Sequence, residues 1–491
     1  MSKILMLIVI LLPILGGAVS ALIPFKKRES RNTFLGVLVT VTSILVWWLL
    51  LNRPEEAFRV VYFTGDLSID FKLDGLGMVF AGLVSALWPL AMLYSFEYMK
   101  HEGHERIFFM FYTMTYGVTL GISLAGNLMT MYFFYELLTL VTVPLVMHTL
   151  SREAILASRK YLYFSLGGAA FAFIGLIFVI VYGSSIDFVY GGVLDLATIG
   201  GRTDILLWVY VIAFMGFGVK AAICPFNSWL PQAGVAPTPV TALLHAVAVV
   251  KSGAFAIMRL TYYSFGTEFL KGTWAQNVVM AIVIFTVVYG CSRAVKETHF
   301  KRRLAYSTVS NLSYILFGVT IMTPLGLLGA LSHMVFHAVM KICSFFCAGA
   351  VIYKTGRNYV HELNGLGKTM PKVFGIFTVS AFGLMGVPGL AGFIGKWNLA
   401  NAAVESNNVL AYVGIGGLLI SALLTAIYML TVSMRAFFPG KDFDYSKVEG
   451  TADPNWMMLV PLAIFCVFIV GFGVYSTPLI EFLTKVAEGI L

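Results

Sequence analysis

Charged residues interrupt several apolar segments of the chain. The acid among them is Glu136, in YFFYELLTL, and the bases are Lys220 in GFGVKAAIC, Lys251 in VAVVKSGAF, Lys341 in AVMKICSFF and Lys396 in FIGKWNLA. An ionisable side chain at the middle of a bilayer costs at least about 2.5–3.5 kcal/mol, so each of these is a functional candidate. A single buried lysine can be a structural ion-pair partner or can extend its amine to the interface. One carboxylate cannot neutralise all of these lysines, so some must be uncharged part of the time or lie in a hydrated cavity, and both conditions suit proton transfer.

Histidines accompany two of these lysines. His333, His337 and Lys341 follow one another at intervals of four residues, which places them on one face of a helix. An imidazole can accept a proton on one nitrogen and release one from the other, although a buried histidine can also be an ordinary core residue. His245 precedes Lys251 by six residues, on another face but within about two turns. The sequence therefore predicts a proton path, here called the buried line, that consists of Glu136, Lys220, His245, Lys251, His333, His337, Lys341 and Lys396.

Membrane-spanning helices must position these residues. The 491-residue chain is 59% hydrophobic and 12% charged, with a mean hydropathy of +0.87, whereas about a quarter of the residues of a soluble domain are charged. Apolar runs of roughly twenty residues recur, each long enough to cross a hydrocarbon core of about 30 Å. The first, 4–23, is too long and too poorly flanked for a cleavable signal, so we interpret it as a span. We predict an all-α polytopic membrane protein with about 14 transmembrane helices in a single membrane domain, 1–491.

Two predicted spans, the seventh and the twelfth, contain helix breaks beside a lysine. Prolines follow Lys220 in ICPFNSWLPQAGVAPTPV and precede Lys396 in GLMGVPGLAGFIGKW: Pro225, Pro231, Pro237, Pro239 and Pro388. Proline removes a backbone donor and glycine weakens a helix. Non-helical backbone at membrane depth is tolerated only where protein or water covers it. Because the two breaks lie an odd number of spans apart, they indicate an inverted internal repeat, as in many secondary transporters.

Lysine and arginine are distributed unequally between the predicted loops. With the N-terminus outside, most of the 33 basic residues fall in inner loops. The outer side then holds Lys3, Arg53, Arg59, Lys72, Arg202, Arg259, Lys271 and Lys485. The positive-inside rule therefore predicts that both termini are outside, and it accounts for the net charge of +9 without nucleic-acid binding. The basic loops are expected to meet headgroups of the lipid bilayer or a cytoplasmic partner.

The sequence lacks the pattern of a catalytic, nucleotide or metal site. The cysteines form no C-x-x-C pair and have no iron–sulfur or zinc spacing, and neither G-x-G-x-x-G nor a P-loop is present. Cys343 and Cys347 share a helix face but are interpreted as small packing residues. We expect no catalytic residue, no metal and no cofactor in this chain, so that its driving energy comes from elsewhere.

Five stretches together resemble one known family. They are YFFYELLTL, VKAAICPFNSWLPQAGVAPTPVTALLHAVAVVKSG, KRRLAYSTVSNLSYILFG, LSHMVFHAVMKICSFFCAG and GVPGLAGFIGKW. From about residue 70 to 435, the chain resembles the antiporter-like subunits shared by respiratory complex I, Mrp-type sodium/proton antiporters, and the related membrane-bound hydrogenases and sulfane reductases. Its GFIGKW stretch is most similar to the D-type member of Mrp antiporters and to the H-type member of membrane-bound hydrogenases.

The resemblance implies a role for each candidate residue: a charge pair for Glu136 and Lys220, a central link for His245 and Lys251, and a relay toward Lys396 for His333, His337 and Lys341. It also implies two inverted repeats, 107–262 (spans 4–8) and 275–435 (spans 9–13). The location that it implies for the protein is the cytoplasmic membrane of a prokaryote. The implied partners are other membrane subunits, further antiporter-like subunits among them, and soluble redox subunits where the complex is redox-driven. Because the chain ends soon after its last span, without a long lateral helix, it would lie inside a row of subunits.

Other functions stay open at this stage. The chain could be a stand-alone secondary transporter of another solute, a quinone-binding redox subunit, or a structural spacer that has kept the fold without transport. The host complex is likewise open between an Mrp antiporter, a hydrogenase, a sulfane reductase and a complex I relative.

Overall fold

A computed structural model describes residues 2–54, 56–64, 67–195 and 199–491. It is a bundle of helices, as expected where backbone groups in lipid must pair within their own segment. Among the described residues, ten helices are long and apolar enough to cross a membrane, and Thr203–Gly218 and Pro371–Met385 are shorter apolar helices. The predicted class, an all-α polytopic membrane protein, is confirmed, whereas the count of about 14 spans stays a prediction.

The longer helices are numbered here in chain order. They are α1 (Ser2–Leu22), α2 (Arg28–Asn52), α3 (Gly75–Tyr98), α4 (Glu105–Ser123), α5 (Leu128–Val146), α6 (Arg152–Tyr182), α7 (Thr203–Gly218), α8 (Thr238–Phe265), α9 (Trp274–Lys296), α10 (Phe300–Thr320), α11 (Pro324–Thr355), α12 (Pro371–Met385), α13 (Ala391–Glu405), α14 (Val409–Phe437), α15 (Trp456–Val474) and α16 (Thr477–Ala487). An antiparallel hairpin, β1 (Phe58–Thr64) and β2 (Leu67–Phe71), connects α2 to α3. Its strand β2 packs against α5, where Asp70 N donates to Thr130 Oγ1 over 2.9 Å.

The centre of the bundle is formed by α8 and α11. All of the apolar stretch of α8 and 94% of that of α11 are buried, against 39% or less for α1, α2, α6, α14 and α15. Five residues of the buried line lie on these two central helices: His245, Lys251, His333, His337 and Lys341. Their side chains are therefore shielded from lipid by the surrounding helices.

The first helix break lies between α7 and α8. Lys220 and Pro225 lie in the non-helical segment that directly follows α7. Pro231 lies in a four-residue helix, whereas Pro237 and Pro239 lie at the beginning of α8. Proline is well tolerated in the first turn of a helix, where its missing N–H would have no partner. The structure thus places Pro225 at the break and gives Pro237 and Pro239 a different role, that of starting the next helix.

The second helix break separates α12 from α13. The non-helical residues 386–390 include Pro388. Gly386 ends α12 with φ +91°, in the left-handed region that favours glycine. Lys396 follows in the second turn of α13. Both predicted breaks therefore exist in the structure, and each lies within a few residues of a lysine of the buried line.

Candidate functional site

Lys251 and His337 join the two central helices. Lys251 Nζ lies 2.6 Å from His337 Nδ1, and both residues are fully buried. Among the described residues, this is the only hydrogen bond between two members of the buried line. An ammonium has donors only, so His337 Nδ1 accepts whenever Lys251 is charged, and the neutral ring then carries its proton on Nε2. A proton can pass from α8 to α11 through this contact without an intervening group.

His333 extends the line along α11. Its ring lies parallel to that of His337, with centroids 5.8 Å apart and 18° between the planes. His333 Nε2 lies 3.3 Å from Asn311 Oδ1 on α10. A methyl group added at Gly395 would lie 3.1 Å from His333 Nδ1 and 3.0 Å from its Cα. Gly395 therefore permits the close approach of α13, which carries Lys396, to His333.

Lys396 connects the two halves of the broken helix. Its Nζ donates to the carbonyls of Leu384, over 2.7 Å, and Met385, over 2.9 Å. These carbonyls belong to the last turn of α12, where no intrahelical donor is available and where a cation is favourable. Lys396 Nζ also lies 5.2 Å from the ring centre of Tyr314. The ring of Tyr314 lies 5.1 Å from that of His333, so this tyrosine bridges the two.

Lys341 contacts a group of hydroxyl-bearing residues on α10 and α14. Its Nζ donates to Ser307 Oγ over 2.7 Å, and Tyr428 OH donates to the same oxygen over 2.8 Å. Tyr428 OH is in turn 3.1 Å from Thr425 Oγ1. Ser421 and Ser310 and the thiol of Cys291 on α9 complete this group, which is called the hydroxyl cluster here. Sequence reasoning missed the hydroxyl cluster, because serine and threonine often bond to the carbonyls of their own helix and carry no signal of a longer-range contact.

Glu136 and Lys220 lie in adjoining parts of the structure without direct contact. Their charges interact, but among the described residues no ion pair within 4.0 Å joins them. Lys220 Nζ instead donates to the carbonyl of Tyr135 and lies 3.4 Å from the centre of its ring. Glu136 Oε1 is buried without a hydrogen-bond partner. Lys220 packs against Gly253 of α8, which lies two residues beyond Lys251. A methyl group added at Gly253 would lie 3.1 Å from the Cβ of Lys220.

His245 lies in a π-helical turn of α8, Leu243–Val247. It is fully buried, and neither ring nitrogen has a hydrogen-bond partner. Its ring lies 4.8 Å from that of Phe345 on α11, and its charged neighbours include Lys341 and Lys251. π-Helical turns are frequent at functional sites. His245 therefore faces α11 from α8 without a direct hydrogen bond to Lys251, and its role as a central link stays a prediction.

Arg259 corrects one expectation of the sequence analysis, which assigned it to an outer loop. It lies within α8, is fully buried, and forms an ion pair with Asp74, the residue that caps the N-terminus of α3. Arg259 Nη2 lies 2.7 Å from Asp74 Oδ1. The rings around its guanidinium belong to Phe188, Phe255 and Tyr263. A charged residue within the apolar run FAIMRLTYYSF was the available signal, and it was missed because Arg259 was counted with the outer side instead of within the eighth span.

Within the described ranges, no carboxylate forms an ion pair with a lysine of the buried line. Across the described ranges, none of the four takes part in an ion pair. A charged ammonium that is buried without a counter-charge is costly, whereas the neutral amine is not. Buried polar atoms without a protein partner belong to Glu136, His245, His333 and His337, and a bridging water is a low-cost way to join such groups. The arrangement can therefore move a proton directly between Lys251 and His337, and through bridging waters where no direct hydrogen bond joins two groups of the line.

No metal-ligating cluster is evident in the part of the chain that the structure describes: no three His, Cys, Asp or Glu side chains lie together in a suitable arrangement. The free cysteines lie on α9, α11 and α15 and, for Cys224, in the non-helical segment after α7. Cys291 hydrogen-bonds within the hydroxyl cluster.

Two family descriptions match the sequence. Residues 125–429 match "NADH:quinone oxidoreductase/Mrp antiporter, TM", and residues 62–109 match "NADH-Ubiquinone oxidoreductase (complex I), chain 5 N-terminus". The first match covers more than half of the chain and includes every residue of the buried line.

Individual relatives and solved structures match nearly the whole chain. It is 28% identical over 472 residues to the N subunit of NADH-quinone oxidoreductase from Desulforudis audaxviator, with 94% of this chain and 92% of the relative covered. It is 27% identical over 488 residues to the A subunit of the Na(+)/H(+) antiporter from Alkalihalophilus pseudofirmus, with 92% of this chain and 59% of that relative covered. A chain of the Mrp complex from Dietzia sp. DQ12-45-1b superimposes with a TM-score of 0.85 at 20% identity, covering 99% of this chain and 97% of that one. A chain of the membrane-bound sulfane sulfur reductase, an archaeal respiratory membrane complex, superimposes with a TM-score of 0.85 at 21% identity and the same coverage.

Proposed function

The chain belongs to the NADH:quinone oxidoreductase/Mrp antiporter membrane family, and we propose that it moves protons along the buried line as one subunit of a larger membrane complex. It is an antiporter-like subunit of the type found in complex I, Mrp antiporters and sulfane reductases. A stand-alone solute transporter, a quinone-binding subunit and a structural spacer are not favoured, because no feature of the described residues points to any of them.

The observation that carries the proposal is the contact between Lys251 and His337. It links α8 to α11 at 2.6 Å in the fully buried centre of the bundle. A structural role alone does not explain a lysine and a histidine there, since neither has a carboxylate to stabilise its charged form. A pair that shares one proton carries a single positive charge instead of two, because the lysine can be neutral while the histidine is charged, or the reverse.

The proposed transfer runs in both directions from this contact. On one side lie Lys220 and Glu136, whose separation sets how strongly the carboxylate stabilises a charged Lys220. When the carboxylate approaches, the ammonium is stabilised; in the arrangement seen here, without direct contact, burial favours the neutral amine. The proton then moves toward Lys251, with bridging waters spanning gaps that are too wide for a direct hydrogen bond.

The other side of the line leads to Lys396 by two candidate branches. One runs from His337 to His333 and past Tyr314. The second runs from Lys341 through the hydroxyl cluster on α10 and α14. Lys396 at the helix break would be the last buried acceptor before the membrane surface.

We propose that the ion is H⁺ and that any Na⁺ dependence of the whole complex belongs to another subunit. Sodium favours several oxygen ligands, often carboxylates. Within the buried line only Glu136 offers a carboxylate, and the lysines would repel a bare cation. If Glu136→Gln abolished sodium transport by the complex while proton transport continued, this assignment would be wrong.

Two structural proposals accompany the function. The stretches 107–262 and 275–435 form inverted repeats; in support, the fourth of the five helices is the broken one in each stretch. The chain lies in the cytoplasmic membrane of a prokaryote with both termini outside, in support of which most basic residues fall in the predicted inner loops. Labelling of single cysteines introduced at residues 3 and 441 from either side of the membrane tests the orientation.

The expected partners are further membrane subunits, other antiporter-like chains among them, and soluble redox subunits if the complex is redox-driven. The host is an Mrp antiporter, a hydrogenase, a sulfane reductase or a complex I relative. Identification of the proteins that copurify in a mild detergent distinguishes them, because iron–sulfur or flavin subunits accompany only the redox-driven complexes.

The central test is the substitution Lys251→Met in the complete complex, reconstituted in vesicles with a pH-sensitive dye. Methionine fills a similar volume but cannot bind a proton, so we expect proton transport to be lost while assembly on a native gel is unchanged. The matched control is Lys271→Met, an exposed lysine between α8 and α9, for which transport should stay normal. Normal transport by Lys251→Met would contradict the proposed function.

A further inference from the structure

A basic cavity of about 750 Å³ lies where α1 ends and where α2 and α4 begin. Its charged lining consists of four basic residues, Lys27, Arg28, Arg31 and Arg106, and two acidic ones, Glu102 and Glu105. No residue of the buried line is among the described residues that line this cavity, so the proposed proton transfer does not explain the cavity. We propose that the basic cavity binds the phosphate of an anionic phospholipid.

The cationic groups of the basic cavity are only partly neutralised. Glu105 pairs with both Arg28 and Arg31. Arg31 is buried, with 8% of its surface exposed, and its guanidinium also lies over the ring of Phe109. The Nε atoms of Arg28 and Arg31 are nevertheless buried without a hydrogen-bond partner. Arg106 donates to the carbonyl of Ala21, and an arginine has further donors in the same plane.

Two helix N-termini add to the positive potential. Neither the Lys27 side chain at the start of α2 nor the His104 side chain at the start of α4 accepts a hydrogen bond from the first turn. The N–H groups of a first turn carry a partial positive charge and bind anions well. A phosphate in the basic cavity would therefore lie beside two helix N-termini and several guanidinium groups at once, although the first turns also carry Glu29 and Glu105.

The apolar rim favours a lipid over a free anion. Ile107 lines the cavity and is 50% exposed, and Leu22, which follows the lining residue Ala21 at the end of α1, is 79% exposed. Phe25 also lines the cavity. A headgroup in the basic cavity would place its acyl chains against these apolar side chains, whereas inorganic phosphate would leave them uncovered.

The test is lipid binding by the full-length chain in a mild detergent, followed by native mass spectrometry with phosphatidylglycerol, phosphatidylcholine or inorganic phosphate as the probe. We expect one phosphatidylglycerol to bind in preference to phosphatidylcholine. Millimolar inorganic phosphate should not displace it. Equal binding of the two lipids, or displacement by inorganic phosphate at the affinity of the lipid, would overturn the proposal; the latter result would assign the cavity to a free anion.

Variants locate the site. Each basic side chain near an anionic group contributes about fivefold in affinity, so Lys27→Gln with Arg106→Gln should weaken phosphatidylglycerol binding about 25-fold. The matched control, Lys26→Gln with Arg152→Gln, removes the same charge from exposed residues outside the cavity and should change affinity less than twofold. Glu102→Gln should tighten binding about fivefold, a gain that misfolding cannot produce. Equal losses in the two double variants, or unchanged affinity in Glu102→Gln, would refute the assignment.

Discussion

The substitution His337→Asn tests whether the contact between Lys251 and His337 at the centre of the bundle is only a structural hydrogen bond or also transfers protons. His337 Nδ1 is 2.6 Å from Lys251 Nζ, and the side-chain oxygen of asparagine can occupy nearly the same position as Nδ1. Asparagine therefore keeps an acceptor for the lysine but cannot take up a proton. If the contact is structural, the asparagine variant should function; if it relays protons, the variant should assemble and fail.

The magnitudes follow from the burial of both groups. In His337→Ala, the fully buried amine of Lys251 loses its acceptor, which costs about 1–3 kcal/mol, and the missing ring adds a packing loss of similar size. In His337→Asn the hydrogen bond persists, so the expected loss of stability is about 1 kcal/mol or less. The effect on transport is larger, because a positioned acid–base group typically contributes about 10²–10⁴-fold to a proton-transfer rate.

The assay is proton uptake by vesicles that contain the complete complex, normalised to the amount of assembled complex on a native gel. Thermal unfolding of the purified complex gives the stability comparison. The control is His361→Asn, at an exposed histidine outside the bundle core, and it should behave as wild type in both measurements. Near-normal transport by His337→Asn would remove His337 from the path and leave it as a structural acceptor for Lys251.

Three further predictions concern other parts of the structure. Lys220→Arg and Lys396→Arg should both stop proton transport in assembled complexes, because a guanidinium effectively never releases its proton. Substantial transport by the Lys396→Arg variant would show that this lysine acts only as a fixed charge. Gly395→Ala should lower stability by about 1–3 kcal/mol through overpacking and also slow transport, since the new methyl would lie 3.0 Å from the α carbon of the histidine behind it. Gly416→Ala, which meets open space, should do neither, and equal effects in thermal unfolding would contradict the packing argument. His299 lies between α9 and α10, and burial, aided by neighbouring cations, lowers its pKa to about 4. The contribution of the neutral His299 to stability is therefore fully present above about pH 6.5 and is lost as the pH falls toward 4. His299→Gln should therefore flatten the fall of the unfolding temperature between these pH values, and an unchanged profile would show that this histidine is not the cause.

The membrane fold and the helix breaks could be predicted because their signals are local. Hydropathy identifies apolar segments, and proline and glycine beside Lys220 and Lys396 mark where a helix cannot continue. The roles of individual prolines could not be predicted as well, since a proline at the first turn of α8 and a proline inside a break look alike in the sequence. In the structure, the long helix that follows Pro237 distinguishes it from Pro225, which is followed by a short turn.

The contacts between helices depend on how each helix is rotated and shifted relative to its neighbours, and neither can be predicted from a single sequence. Glu136 and Lys220 were expected to pair, but the non-helical turn after α7 directs the amine to the carbonyl of Tyr135 instead. The hydroxyl cluster beside Lys341 was invisible for the same reason, because its members are ordinary residues in separate apolar helices. By contrast, the spacing of His333 and His337 correctly predicted a shared face, since that spacing lies within one helix.

The two buried basic residues of the central helix α8, Arg259 and Lys251, have different kinds of partner. Arg259 cannot shed its charge in a protein, and Asp74 neutralises it through an ion pair. Lys251, on the same helix and equally buried, has no carboxylate partner and contacts a histidine instead. A lysine that is always charged would need a counter-charge as much as Arg259 does. The lack of a carboxylate beside Lys251 among the described residues therefore supports the proposal that Lys251 is uncharged part of the time. The pairing of Arg259 therefore shows that the fold can supply a carboxylate where a permanent charge requires one, and the contact of Lys251 with a histidine in place of a carboxylate supports the proposal that a proton passes through this lysine.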